Sequence, residues 1–322
     1  MTLPLTRRRL AGAAVLGGLQ PSLAWASGYP AQAIHYVSPY PPGGTNDLVA
    51  RVIGRRLAAR LAQPVVIDNR GGAGGTIGTG FVAQAPADGY TVLNASSGNL
   101  SSAPQVIGAA YDPLADLTPV GFLGHIRFVF AVHPSLPVTT FAEFIEFAKK
   151  NPRKINYGTA GNGTGGHIAG EYLRLRTGID IVHVPYRGSA QALTDTVAGH
   201  VQLVLDPLAA QYVRTGKLRG LAFTGATSAP DLPGVPSLDA AGLPGWEATN
   251  FYLAAVPART PPEVVRQLHR HFLDLARDAE TVAELKALGV EIQPLSIPQI
   301  SALLKAEIDV NDRVIRAAGI TA

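Results

Sequence analysis

Residues 35–68 read HYVSPYPPGGTNDLVARVIGRRLAARLAQPVVID. A short apolar strand, Ile34 to Val37, runs into a loop of prolines and glycines. Leu48, Val49, Val52, Ile53, Leu57 and Leu61 then recur at helical spacing on one broad face. Val65 to Ile67 forms a second strand. The unit is strand–loop–helix–strand, the building block of a parallel α/β sheet. Thr45, Asn46 and Asp47 are candidate N-caps of the helix. A glycine loop at a helix start presents unpaired backbone N–H groups, which suit an anion. The simpler alternative is a tight βα turn with no ligand.

The same arrangement recurs at Gly158 to His167, where the strand Ile155-Asn156-Tyr157 meets a second glycine loop and a helix over 167–175. Between them lie a glycine run, Gly71 to Gly78, a short helix over 76–85, and a strand from Tyr90 to Leu93. That strand ends in Asn94-Ala95-Ser96-Ser97-Gly98, whose hydroxyls either rim a ligand site or cap the following turn. Residues 120–132 form an extended apolar segment, and Leu218 to Thr224 another; both are candidate crossings between lobes. Strands at 181–184 and 201–205, an amphipathic helix over 140–150, and helices over 280–288 and 298–318 complete the pattern. The order predicts an α/β protein of two parallel-sheet lobes joined by crossing strands. Lobe 1 is expected over 27–122 plus 224–295, and lobe 2 over 123–223 plus 296–322.

Bulk composition narrows the function. The chain has 322 residues, no cysteine and a formal charge of +4. Thiol catalysis, disulfides and thiolate metal sites are excluded. Arg7, Arg8 and Arg9 supply three of the charges, so the body without them carries +1 (4 − 3). No basic patch is interleaved with aromatics, and no nucleic-acid partner is expected. Residues 1–26 combine these arginines, an apolar run from Leu10 to Leu19, and Ala24-Trp25-Ala26. That is an export signal, of twin-arginine type or an ordinary secretory leader with an arginine pair.

Gly161-Asn162-Gly163-Thr164-Gly165-Gly166 fits a dinucleotide fingerprint in spacing. The acidic residue that should end the next strand is replaced by Pro185-Tyr186, so no cofactor is expected. Nucleophile-elbow and zinc-protease motifs are absent, and no catalytic residue or metal site is expected. His269 and His271 are expected to face solvent. His167 either touches a ligand or closes the first turn of its helix. Asp206, at the end of an apolar strand, either orders a loop or receives a donor from a ligand. Tyr186 either covers a pocket or packs in the core. Arg127 and Arg187 either attract an anion or are plain surface residues. Glycines, hydroxyls and one carboxylate at strand ends favour binding over catalysis.

Several stretches together match a known family: Pro39-Tyr40-Pro41-Pro42-Gly43-Gly44-Thr45-Asn46-Asp47, Val66 to Gly75, Pro86-Ala87-Asp88-Gly89-Tyr90-Thr91, Tyr157 to Thr164, His167 to Glu171, and Val184-Pro185-Tyr186-Arg187-Gly188. From about residue 28 onward the chain resembles the Bug family of extracytoplasmic solute receptors, the binding subunits of tripartite tricarboxylate transporters. The resemblance implies a fold like the type II periplasmic binding proteins, with a central cleft for a small mono-, di- or tricarboxylate, amino acid or aromatic acid. It implicates Tyr40, Gly44, Asn46, Thr159, Gly163, Thr164 and His167 around a ligand carboxylate. It places Ser96, Ser97, Tyr186 and Asp206 at the distal end. Thr45, the first cap candidate, joins the set. Pro41-Pro42 departs from the phenylalanine and small residues common in that loop. A periplasmic monomer that docks on membrane permease subunits is expected. A ligand-sensing receptor for a signalling protein, or an α/β enzyme acting on a carboxylate, are the alternatives.

Overall fold

The computed structural model describes residues 28–225 and 229–320; the export signal expected over 1–26 lies outside them. The chain opens with β1 (Ile34–Ser38), α1 (Thr45–Leu61) and β2 (Val65–Asn69). Next come α2 (Thr76–Ala83), β3 (Thr91–Ser96), α3 (Ser97–Leu100), α4 (Ser102–Ile107) and β4 (Leu117–Ile126). A second series follows: β5 (Val129–Val132), α5 (Phe141–Lys150), β6 (Asn156–Thr159), α6 (Gly165–Thr177) and β7 (Val182–Pro185). It continues through α7 (Ser189–Val197), β8 (Leu203–Asp206), α8 (Ala209–Arg214) and β9 (Arg219–Phe223). The chain then returns through β10 (Phe251–Pro257), α9 (Pro262–Leu275), α10 (Ala279–Ala287), β11 (Val290–Glu291) and α11 (Ile297–Ala318).

Two sheets result, in the orders β11-β4-β10-β3-β1-β2 and β7-β6-β8-β5-β9. They are mixed rather than parallel, which corrects the expectation from sequence. β1, β2 and β3 run parallel, as do β6, β7 and β8. β10 runs antiparallel to β3 and β4, and β5 antiparallel to β8 and β9. The cause is the crossing itself. β1, β3, β6 and β8 end at the space between the sheets, whereas β5 and β10 have just arrived from the other sheet and start there. They must run the opposite way.

Each helix stripe finds its sheet. α1 buries Val49, Ile53, Leu57 and Leu61, which join Ile34, Tyr36, Val92 and Phe272 of α9 in one core. Around the second sheet, Phe130, Phe144, Tyr157, Leu173 and Leu205 form another. Burying each such side chain contributes roughly 1.5–3 kcal/mol.

Three lobe edges differ from the sequence reading. The first crossing falls between Ile126 and Val129, not at 122. Ala229, Leu232, Leu238 and Leu243 pack in the cores of the second sheet, so residues 229–246 stay with that lobe. Its Pro- and Gly-rich loop has no periodicity to show which way it turns. Third, α11 belongs to both lobes: Ile300 and Leu304 pack with Val37 and Leu93 of the first sheet, while Val314 and Ile315 touch Ile168 and Tyr172 of α6. No described helix is long and apolar enough to cross a membrane.

Candidate functional site

The first glycine loop is held by Asp47, which is 1% exposed. Its carboxylate accepts the Gly43 N–H at 2.9 Å, Asn69 Nδ2 at 2.9 Å and Arg51 Nε at 2.9 Å. Burial opposes the charge, yet these donors outweigh it and hold the carboxyl below the usual range. Asn69 Nδ2 also donates to the Tyr40 carbonyl at 3.0 Å. Asn46 is tied inward: Ser38 Oγ donates to its Oδ1 at 2.9 Å, and its Nδ2 donates to the Asn94 carbonyl at 3.0 Å. The N-cap of α1 is Gly44, not Thr45, Asn46 or Asp47, and no side chain caps this helix.

The second loop sits opposite. Thr164 is the N-cap of α6, again without a side-chain cap. A third strand end repeats the pattern: after β7, Gly188 is the uncapped N-cap of α7. By contrast α5 and α10 are capped by Thr140 and Asp278. The first-turn N–H groups of Thr45, Asn46, Gly165, Gly166, Ser189 and Ala190 find no backbone acceptor among the described residues. These three helix starts meet at one cavity between the lobes, with a volume of about 110 Å³. A water needs roughly 10–15 Å³ on that measure, so the space suits a small organic molecule.

The lobes touch around it. Thr45 Oγ1 donates across the cleft to Asp206 Oδ1 at 3.2 Å, and Ser102 Oγ donates to the Gly163 carbonyl at 2.6 Å. Asp206 is 8% exposed; burial raises its pKa, against hydrogen bonds from Ser189, the Leu208 N–H and Thr45. Tyr40 donates its hydroxyl to the Gly74 carbonyl at 3.0 Å, and burial pushes its pKa up to about 12.

Of the residues singled out from sequence, Tyr40, Gly44, Thr45, Asn46, Ser96, Thr164 and Asp206 line the cavity; Ser97, Thr159, Gly163, His167 and Tyr186 do not. Ser97 Oγ instead donates to Asn250 Oδ1 at 2.6 Å, fixing a cavity residue from behind. Glu307 of α11 accepts from Thr249 Oγ1 at 2.8 Å beside them, and burial raises its pKa to about 7. The Gly163 N–H is turned to His167 Nδ1 at 3.1 Å, away from the cavity. That bond requires a neutral imidazole with a free lone pair at Nδ1. Burial favours the neutral form, lowering the His167 pKa. His167 stacks on His183 with ring centroids 4.0 Å apart, and His183 Nε2 lies 2.6 Å from Thr159 Oγ1. Burial, aided by His167, pushes His183 down to about 3. Thr159 and His167 therefore build the loop from beneath. Tyr186 donates its hydroxyl to Asp195 at 2.7 Å and lines a neighbouring groove with Arg187.

Two other expectations change. Arg127 is 7% exposed and paired with Asp231 at 2.6 Å, so it is neither a surface residue nor a free cation. His269 is half-buried, with Nδ1 3.0 Å from the Val120 carbonyl. Sequence reasoning missed Gly165, Gly166, Ser189, Ala190, Gln191, Asn250 and Tyr252, all of which line the cavity. The strand–glycine–helix signal at Gly188 was available for the α7 start. Asn250 and Tyr252 arrive on the returning strand and carry no local signal. Among the described residues no cluster of three or more His, Cys, Asp or Glu side chains could hold a metal ion.

Comparison with known proteins places this geometry. The family described as tripartite tricarboxylate transporter family receptor matches residues 49–320. Protein BugT of Bordetella pertussis is 33% identical over 302 residues, covering 91% of this chain and 91% of BugT. The structure of Rpa4515 from R. palustris with adipate superposes with a TM-score of 0.86 at 34% identity, over 91% of this chain and 99% of that one. MatC from Rhodopseudomonas palustris with bound malate gives 0.84 at 27% identity, over 89% and 100%. The two mixed sheets joined by crossing strands are the bilobed fold of the type II periplasmic binding proteins.

Proposed function

Because the chain belongs to the tripartite tricarboxylate transporter family of receptors, we propose that it is exported to the periplasm, captures a small organic carboxylate and delivers it to the permease subunits of such a transporter. One observation supports this reading above the rest: three uncapped helix starts, from both lobes, share one small cavity. Each contributes roughly 0.3–1 kcal/mol toward an anion, more where partly buried. Backbone donors are already in place when the ligand arrives, so little reorganisation opposes binding. Tyr40, Gly44, Thr45, Asn46, Ser96, Thr164 and Asp206 are the proposed contacts. Ser97, Thr159, Gly163 and His167 hold those contacts in position, and Tyr186 braces α7 through Asp195. Relatives with adipate and with malate fit the same chemistry. As members of a receptor family, these residues have no covalent step to perform.

Calorimetric titration with a panel of mono-, di- and tricarboxylates, amino acids and aromatic acids tests the reading. At least one acid is expected to bind, and small-angle scattering is expected to show a smaller radius of gyration at saturation. Failure of every acid to bind overturns the function, and an unchanged radius overturns closure on the ligand. Removal of residues 1–26 is expected to leave a folded protein in the cytoplasm. Cell fractionation checks this; an undiminished periplasmic pool would refute the export signal.

A further inference from the structure

Asn250 lines the cavity from the segment that returns from the second lobe into β10. The Ile126 N–H donates to its carbonyl at 2.8 Å, which ties the two crossings together. Its side chain joins the lobes. Oδ1 accepts from Ser97 Oγ of α3 at 2.6 Å, and a Cβ at Gly165 would come 1.8 Å from Nδ2. The amide therefore rests on the first turn of α6, and the bond at Oδ1 sets which way Nδ2 points.

Behind it lies a polar cluster short of hydrogens. Ser97 has one hydroxyl hydrogen to give. Asn250 Oδ1 takes it at 2.6 Å, while Glu307 Oε1 competes for it from 3.5 Å. That oxygen otherwise has Asn311 Nδ2 at 3.3 Å, and Asn311 Nδ2 lies closer to Ser101 Oγ, at 2.6 Å. Thr249 Oγ1, 2.8 Å from Oε2, is the one short donor to the carboxyl among these. Asn311 Oδ1 is buried with no donor among the described residues. Glu307 is 4% exposed, midway along α11 between Leu304 on the first lobe and Val314 on the second. A buried carboxylate with one short hydrogen bond and uncharged partners is costly, and a proton relieves both the charge and the shortage. Burial accordingly raises its pKa to about 7.

The groups around it are otherwise engaged. α3 and α4 carry no titratable residue. β4 brings His125 and α6 brings His167, both with pKa lowered by burial. Glu171 of α6 is bonded to Tyr157 and Arg174, and Glu247 lies 3.6 Å from Arg313. Lys305, Asp309, Arg313 and Arg316 of α11 are exposed.

We propose that Glu307 is a proton-dependent positioning residue for Asn250. With a proton on Oε1, taken from solvent, Glu307 donates to Ser97 Oγ, and the Ser97 hydrogen stays on Asn250. Without it the carboxylate draws that hydrogen away, and the Asn250 amide loses its hold. On the reading that the cavity holds a carboxylate, capture is then favoured on the acid side of neutrality and takes up a proton at Glu307.

Nuclear magnetic resonance of the ligand-free protein tests the relay. The Asn250 side-chain amide signal, identified by its loss in Asn250→Ser, is expected to shift with pH through a midpoint near 7. It is expected to stay fixed in Glu307→Gln, which keeps the shape and a donor, and in Ser97→Ala, which cuts the chain. A wild-type signal indifferent to pH, or one that titrates equally in both variants, overturns the proposal. Calorimetry with adipate and malate reads the consequence. Relative to Glu307→Gln, wild type is expected to lose about fivefold or more in affinity from pH 6 to pH 8. Asp206, whose pKa burial also raises, is intact in both proteins and cancels in that ratio. An equal pH dependence in the two proteins overturns the coupling, because a purely structural Glu307 would shift affinity alike at every pH. If neither acid binds, that result bears on the function above, and the spectra alone decide the relay.

Discussion

Gly163→Asp is expected to abolish ligand binding, by more than about 100-fold or roughly 3 kcal/mol, in a protein that still folds. Gly163 has a φ of +69°, and a Cβ there would lie 2.6 Å from Ala103 Cα and 3.1 Å from Ala103 N. Those are backbone atoms of α4 on the opposite lobe, so no rotamer change relieves the clash. The lobes must part. Parting them also breaks the bond from Ser102 Oγ to the Gly163 carbonyl. Strain at a left-handed backbone position adds about 1–2 kcal/mol. The added carboxylate would sit beside the start of α6 as a competing anion. Neither sheet core contains Gly163, so circular dichroism should show native secondary structure. Gly163→Ala separates the causes, since it keeps the clash and removes the charge. Calorimetry on the identified ligand decides: wild-type affinity in Gly163→Asp would refute closure around this contact.

Asp47→Ala is expected to cost about 2–4 kcal/mol of stability, because it leaves buried donors without their acceptor. The Gly43 N–H and Asn69 Nδ2 would each lose a 2.9 Å bond, and the Pro41 to Gly44 loop its brace. Ligand affinity should fall with it, although Asp47 does not line the cavity. The pH dependence has a defined sign. The folded pKa of Asp47 is depressed, so its contribution is present above the unfolded carboxyl value and lost as pH falls through the folded one. Melting temperatures of wild type and Asp47→Ala should differ most near neutral pH and converge in acid. A constant difference down to pH 2 would mean that the side chain acts by packing rather than charge. Asp47→Asn, which keeps the shape and one acceptor oxygen, should lie between them.

Both variants bear on what was readable from residues alone. The loop at 39–44 and the loop at 160–164 stand out because strand, glycine and helix signals follow one another within a dozen residues. Such signals are local, and so the strands and helices around them were legible, α1 and α6 included. Gly163 was found for one reason and matters for another. Its glycines marked a loop, but the direction of its N–H depended on His167, whose ring is fixed by stacking on His183, sixteen positions on (183 − 167). Ser97 and Thr159 were found likewise, and their hydroxyls are spent on Asn250 and His183 behind the cavity. A helix beginning at Ser189 was legible after Gly188, but one glycine there, without the run seen at the other two loops, did not distinguish an open helix start from an ordinary βα turn.

Periodicity and turn chemistry in this chain determined the repeated strand–glycine–helix units and the two-lobed plan. Those properties follow from neighbours within one turn or one hairpin. Tertiary structure alone decided that the strands arriving from the other lobe run antiparallel and that α11 packs on both lobes. It also decided that Asp206 lines one cavity with three helix starts. Contacts between residues a hundred or more positions apart, such as Thr45 with Asp206, depend on how whole elements dock, and no local pattern encodes that docking.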